Sequence, residues 1–116
     1  MRKIKTNLPL YILVDKKPVR VKYLNEWAEW MDDFNNRLIK QDEIKDAKGL
    51  ITGFISTIFL GIPDVSMGDQ PYFETMVFDY RPSRLTPIVY QHREYDYAEA
   101  VKHHGKVVRR WKRGKV

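Results

Sequence analysis

Across residues 24–38, LNEWAEWMDDFNNRL, apolar side chains recur at Leu24, Trp27, Met31, Phe34 and Leu38, in steps of three or four. That spacing places them on one stripe and predicts a single helix over 24–38. Glu26, Glu29, Asp32 and Asp33 fall mostly on the other side, the early acids suiting the positive end of the helix dipole. Trp30 widens the stripe and offers an aromatic contact point. A second stripe, Tyr97, Ala100, Val101, His104, Val108 and Trp111, predicts another helix that begins after Asp96. Asp96 can cap the exposed backbone donors, and Glu99 three residues later completes an Asp version of the capping box. Lys102, Lys106, Arg109, Arg110 and Arg113 fill the rest of this helix, which is both packed and basic. Gly105 weakens it without ending it.

The period changes elsewhere. Residues 10–14 and 18–23 read as two short strands joined by the turn Asp15-Lys16-Lys17. KQDEIKDAKG, residues 40–49, is highly charged, ends in glycine and reads as a helix tail or exposed connection. ITGFISTIFLG is rich in β-branched and aromatic residues, which favours a strand, with Gly53 marking a bulge or a close backbone approach. After the loop GIPDVSMGDQP comes the most strand-like segment, YFETMVF. There Tyr72, Glu74, Met76 and Phe78 share one side, and Phe73, Thr75 and Val77 the other. These two strands are expected to pair antiparallel, followed by the connection DYRPSRLTP and a short strand over 88–90. The fold expected is α+β, a small antiparallel sheet of three to five strands packed with two helices.

The 116 residues suit a single domain spanning 1–116, with basic terminal stretches. Roughly two thirds of the extended chain's surface is expected to be buried. At 43% hydrophobic and 13% aromatic, with six glycines and six prolines, the chain has packing material and no disordered bias. Having no cysteine, it excludes disulfides, thiol catalysis and cysteine-held zinc, and suits a reducing compartment. MRKIKTNLPLYILVDKK lacks a cleavage pattern, and LITGFISTIFLGIP is too short for a membrane span. The expectation is a cytoplasmic protein without a membrane partner.

The charge of +6 is polarised. Arg2, Lys3, Lys5, Lys16, Lys17, Arg20 and Lys22 face only Asp15 in the first 22 residues, and the last fifteen residues carry seven basic groups and no acid. Between Tyr23 and Asp79, eleven carboxylates outnumber four bases. Basic ends brought together would steer the protein toward phosphate or an acidic surface.

Three pieces resemble a family of small uncharacterised proteins encoded by phages and prophages. They are the helix with Trp27-Ala28 and Trp30, the paired segments STIFLG (56–61) and FETMVF (73–78), and the helix with Tyr97, Glu99-Ala100 and His104. With the loop of residues 62–68 they cover about two thirds of the chain in matching order. The resemblance implies a phage context and carries no activity or ligand with it. Family members often have an acid followed by histidine in the loop after the glycine. Here Asp64 is followed by Val65, which removes one candidate histidine.

The candidate chemistry is sparse. Glu74 and His104 are the sharpest polar positions on packed elements, and Asp64 can approach them from the loop. An imidazole beside a carboxylate exchanges protons near neutral pH, so these three are the weak catalytic candidates, for a small hydrolase. His92 and His103 add little, since no HExxH pair is present, and Asp64, Asp69 and Glu74 lack calcium-loop spacing. No metal or cofactor is expected. Ser56, Thr57, Ser66, Thr75 and Ser83 lie outside any nucleophile elbow, and phosphate-cradling glycine loops are missing.

The sequence thus favours a non-enzymatic module that binds a host or viral protein through Trp30, Asp64, Asp69, Tyr80 and Arg84. The alternative is nucleic-acid backbone binding by Lys106, Arg109, Arg110, Trp111, Lys112 and Arg113. Bases there would neutralise phosphates and an exposed Trp111 would stack on an unpaired base. The oligomeric state is not specified.

Overall fold

The computed structural model describes residues 2–62, 71–80 and 87–112. Among the described residues, two antiparallel sheets and three helices follow one another along the chain. Strands β1 (Tyr11–Val14) and β2 (Lys17–Arg20) form a hairpin, followed by helices α1 (Leu24–Asp32) and α2 (Phe34–Arg37). Strands β3 (Leu38–Lys45), β4 (Ile51–Phe59), β5 (Phe73–Asp79) and β6 (Ile88–Glu94) form a four-stranded meander in sequence order, and α3 (Tyr97–Lys112) closes it. The class is α+β, with β4 and β5 paired antiparallel.

Cross-strand partners explain where the core sits. Ile55 lies opposite Val77, Thr57 opposite Thr75, and Phe59 opposite Phe73, so like meets like on the face that receives α3. Ile55 and Val77 pack with Val107, and Phe59 and Phe73 pack with Ala100, giving two apolar clusters along the helix. Each buried phenyl ring contributes about 1.5–3 kcal/mol. Tyr11, Leu13 and Trp30 close the second cluster, Trp30 meeting Phe59 edge-on at 5.6 Å. Trp30 is therefore a packing residue first and a surface contact second.

The start of α3 follows its capping signal. The Asp96 carboxylate accepts from the Glu99 amide at 2.7 Å, and the helix runs uninterrupted through Gly105. A Cβ at position 105 would meet only the end of the flexible Arg109 side chain at 3.4 Å. Gly105→Ala is expected to raise stability by about 1 kcal/mol, a melting-point gain of roughly 4 °C by circular dichroism.

Three expectations are corrected. The single helix over 24–38 stops at Asp32, because Asp33 is extended (φ −87°, ψ 106°) and its side chain accepts from the Asn35 amide, restarting a short turn. Phe34 consequently leaves the stripe and is exposed, with the Arg37 guanidinium 5.2 Å from its ring. Residues 40–45, expected as a connection or helix tail, belong to edge strand β3, which turns back to β4 at Asp46, whose side chain accepts from the Lys48 and Leu50 amides. The last strand extends beyond residue 90 to Glu94, which carries His92 and Glu94 into the sheet.

Candidate functional site: a buried polar layer and a basic groove

Between the two apolar clusters lies a polar layer. The His104 Nε2 is 2.8 Å from Asp42 Oδ2, its Nδ1 is 2.7 Å from Thr57 Oγ1, and Thr57 Oγ1 is 2.6 Å from Thr75 Oγ1. A carboxylate only accepts, so Nε2 carries the proton and Nδ1 accepts from Thr57, which in turn accepts from Thr75. Burial holds the His104 pKa below 6.5, against the opposing pull of Asp42, so the ring is neutral at pH 7. Asp-His-Thr is the order of a nucleophile-activating triad. Thr57 and His104, however, are both 0% exposed, so no substrate meets that hydroxyl. The chain of bonds ties α3 to β3, β4 and β5.

Glu74 and His104 are not brought together. Strand alternation puts Glu74 on the opposite face, where its carboxylate accepts from Arg93 Nε at 2.8 Å across the β5–β6 pair. The place at the imidazole expected for Glu74 is taken by Asp42. Tyr80 is 56% exposed and stacks on Phe78, centroids 6.3 Å apart, on that same outer face. Asp64, Asp69, Arg84 and Arg113 lie outside the described residues, as does the side chain of Lys112.

A second polar group forms where α3 overhangs β6. Tyr90, His92 and Glu94 alternate toward the helix, pairing with Val77, Thr75 and Phe73. His92 Nε2 donates to Glu94 Oε1 at 2.7 Å, His103 Nδ1 is 4.0 Å from that same oxygen, and the Tyr90 hydroxyl is 2.9 Å from His103 Nε2. The His92 and His103 rings lie 4.0 Å apart. Burial first, and then His92 and nearby cations, lower the His103 pKa, while Glu94 opposes them.

Next to this cluster a groove of about 410 Å³ runs between β6 and α3, lined by Val89, Tyr90, His103, Lys106, Arg110 and Trp111 among others. Lys106 and Arg110 stand four residues apart on the exposed flank of α3 that overlooks β6. Arg109 is also exposed but lies about 100° round the helix from Arg110. Trp111 shares its surface between the groove and the Ile55, Val77 and Val107 cluster. Among the described residues, Lys16 of the β1–β2 turn sits over Tyr97 at the start of α3, and the groove lies toward the other end of that helix.

Sequence reasoning missed both Asp42 and the grouping of His92, Glu94 and His103. The second did leave a signal, a His-x-Glu spacing that puts two polar groups on one strand face once the strand is extended.

No family model, curated protein or solved structure matches the chain. Among the described residues no helix is long and apolar enough to cross a membrane.

Proposed function

We propose that the groove between β6 and α3 binds the phosphate backbone of single-stranded nucleic acid. The observation that carries this reading is the placement of Lys106 and Arg110 in one groove with Tyr90 and Trp111. Two cations neutralise successive phosphates, while an aromatic wall accepts an unpaired base without reading its edge. Recognition is then by charge and stacking, not by sequence. The phage resemblance supplies no ligand, so the reading rests on the groove alone.

This favours the alternative over a general protein-binding module, because Trp30, the first aromatic anchor of that module, is engaged with Phe59. A hydrolase built on Glu74 and His104 loses support, since the two occupy opposite faces of the sheet.

Fluorescence anisotropy with labelled single-stranded and duplex oligonucleotides over a salt series tests the reading. Single strands are expected to bind more tightly, with affinity falling as salt rises. Lys106→Gln with Arg110→Gln is expected to weaken binding at least tenfold at low salt and flatten the log–log salt slope by roughly 1.4, or 0.7 for each phosphate contact. Absence of binding at low salt would overturn the proposal, as would binding indifferent to the double variant.

A further inference from the structure

We propose that His92, Glu94 and His103 form a binding site for a zinc-class divalent cation. One donor atom from each of the three lies within 4.8 Å of the others. Four-coordinate zinc, with bonds of about 2.0–2.1 Å, places neighbouring donors about 3.4 Å apart. The observed spacings of 2.7 and 4.0 Å to Glu94 Oε1 bracket that value, so small side-chain adjustments would close the three donors on an ion.

The donor set selects the class of ion. Two imidazoles and one carboxylate suit zinc and its borderline neighbours, whereas magnesium and calcium take oxygen ligands. Binding replaces the His92 proton that now bridges to Glu94, and the two nitrogens and one oxygen converge from a strand and a helix held by the core beneath them. His103 would ligate through Nδ1 and keep its proton on Nε2, where the Tyr90 hydroxyl lies at 2.9 Å to accept it. A partner at the far nitrogen fixes both the tautomer and the ring orientation of a metal-bound histidine. Access is also provided. β6 is an edge strand, and the His92 side chain is 42% exposed, against 21% for Glu94 and 20% for His103.

Three protein ligands leave a coordination position for water or an anion, the pattern of a reactive rather than a purely structural zinc site. His103 also lines the groove, so the ion and the cations Lys106 and Arg110 border the same space. The inference does not depend on nucleic-acid binding, since the three ligands would hold the ion without it.

The test uses the untagged full chain, stripped with a chelator and titrated with zinc alone against a chromogenic competitor, with cobalt as the spectroscopic probe. One ion per chain is expected, with a visible cobalt absorption of four- or five-coordinate intensity. His92→Gln and Glu94→Gln are each expected to weaken zinc at least tenfold, and Tyr90→Phe about tenfold through loss of the outer partner. Lys106→Gln with Arg110→Gln, which removes the groove cations, is expected to leave zinc binding intact, so failure of the groove reading and failure of this one are told apart. Zinc binding unchanged in both His92→Gln and Glu94→Gln, several weak ions per chain, or an octahedral cobalt spectrum would overturn the site. So would absence of binding in a chain whose circular dichroism is that of the folded protein.

Discussion

His104→Ala is expected to destabilise the protein by about 3–4 kcal/mol, read as a fall in the urea midpoint at constant slope. Two effects add. The substitution empties the volume of a fully buried ring, and it removes the donor to Asp42 and the acceptor for Thr57 from a layer sealed between apolar clusters. Domains of this size hold about 5–15 kcal/mol in total, so a large share of the stability goes with one side chain. Asp42→Asn, at a residue whose side chain is 29% exposed, is expected to cost only about 1 kcal/mol. A His104→Ala cost below that of Asp42→Asn would show that the layer does not hold α3 to the sheet.

The same residue sets a pH dependence. His104 is faced by Asp42 and Lys40 from β3 and by the Thr57 and Thr75 hydroxyls beneath it, with His103 beside it on α3. Its folded-state pKa lies below the unfolded value of 6.5, so the unfolded chain takes up the proton first as pH falls. Its contribution is therefore complete above about pH 6.5 and is lost as pH falls through the folded value. His103 shifts in the same direction. Unfolding of His104→Leu from pH 8 to 5 should thus show a shallower loss than the parent, and an equal loss in the two proteins would rule out this origin.

Gly53→Ala is expected to be comparably damaging, at about 3 kcal/mol, although it adds a single methyl group. Gly53 lies opposite Asp79 where β4 meets β5, and a Cβ built there overlaps the backbone carbonyl oxygen of Phe78. A carbonyl in a central ladder cannot swing aside as a side-chain tip does. Either β4 bends away, breaking register near Ile55 and Val77, or the two strands separate. Hydrogen exchange should show lost protection from Gly53 to Ile55 and from Val77 to Asp79, with the Phe59–Phe73 end retained. Uniform loss, or none, would contradict the close approach.

The helix periods were legible wherever one face meets the core throughout. α3 is the example, since Tyr97, Ala100, His104 and Trp111 all point one way and Asp96 fixes its start. The first helix misled because Phe34 and Leu38 continue its spacing, although Asp33 takes an extended conformation and ends it. In β3 the strand period is disguised, as one of its inward positions is the polar Asp42 and the outward ones, Gln41, Glu43 and Lys45, are polar or charged. An edge strand needs only one apolar side, and here that side includes an acid committed to His104. The histidine was recognisable as an inward polar residue on α3, but its partner was not, because 62 residues separate it from Asp42. Glu74 was the acid that the sequence set in the middle of a packed strand, and alternation along β5 turned it away.

The polar layer has a consequence for synthesis on the ribosome. Its bonds join residues 18, 47 and 62 positions apart, and α3 follows every strand it fastens. A nascent chain that has reached Tyr95 holds β3 to β6 with Thr57, Thr75 and the apolar side chains around them still open to water. Emergence of the next dozen residues, and not of any strand, closes the core. At roughly 5–20 residues per second the uncovered sheet persists for about a second, long enough for a chaperone to engage it.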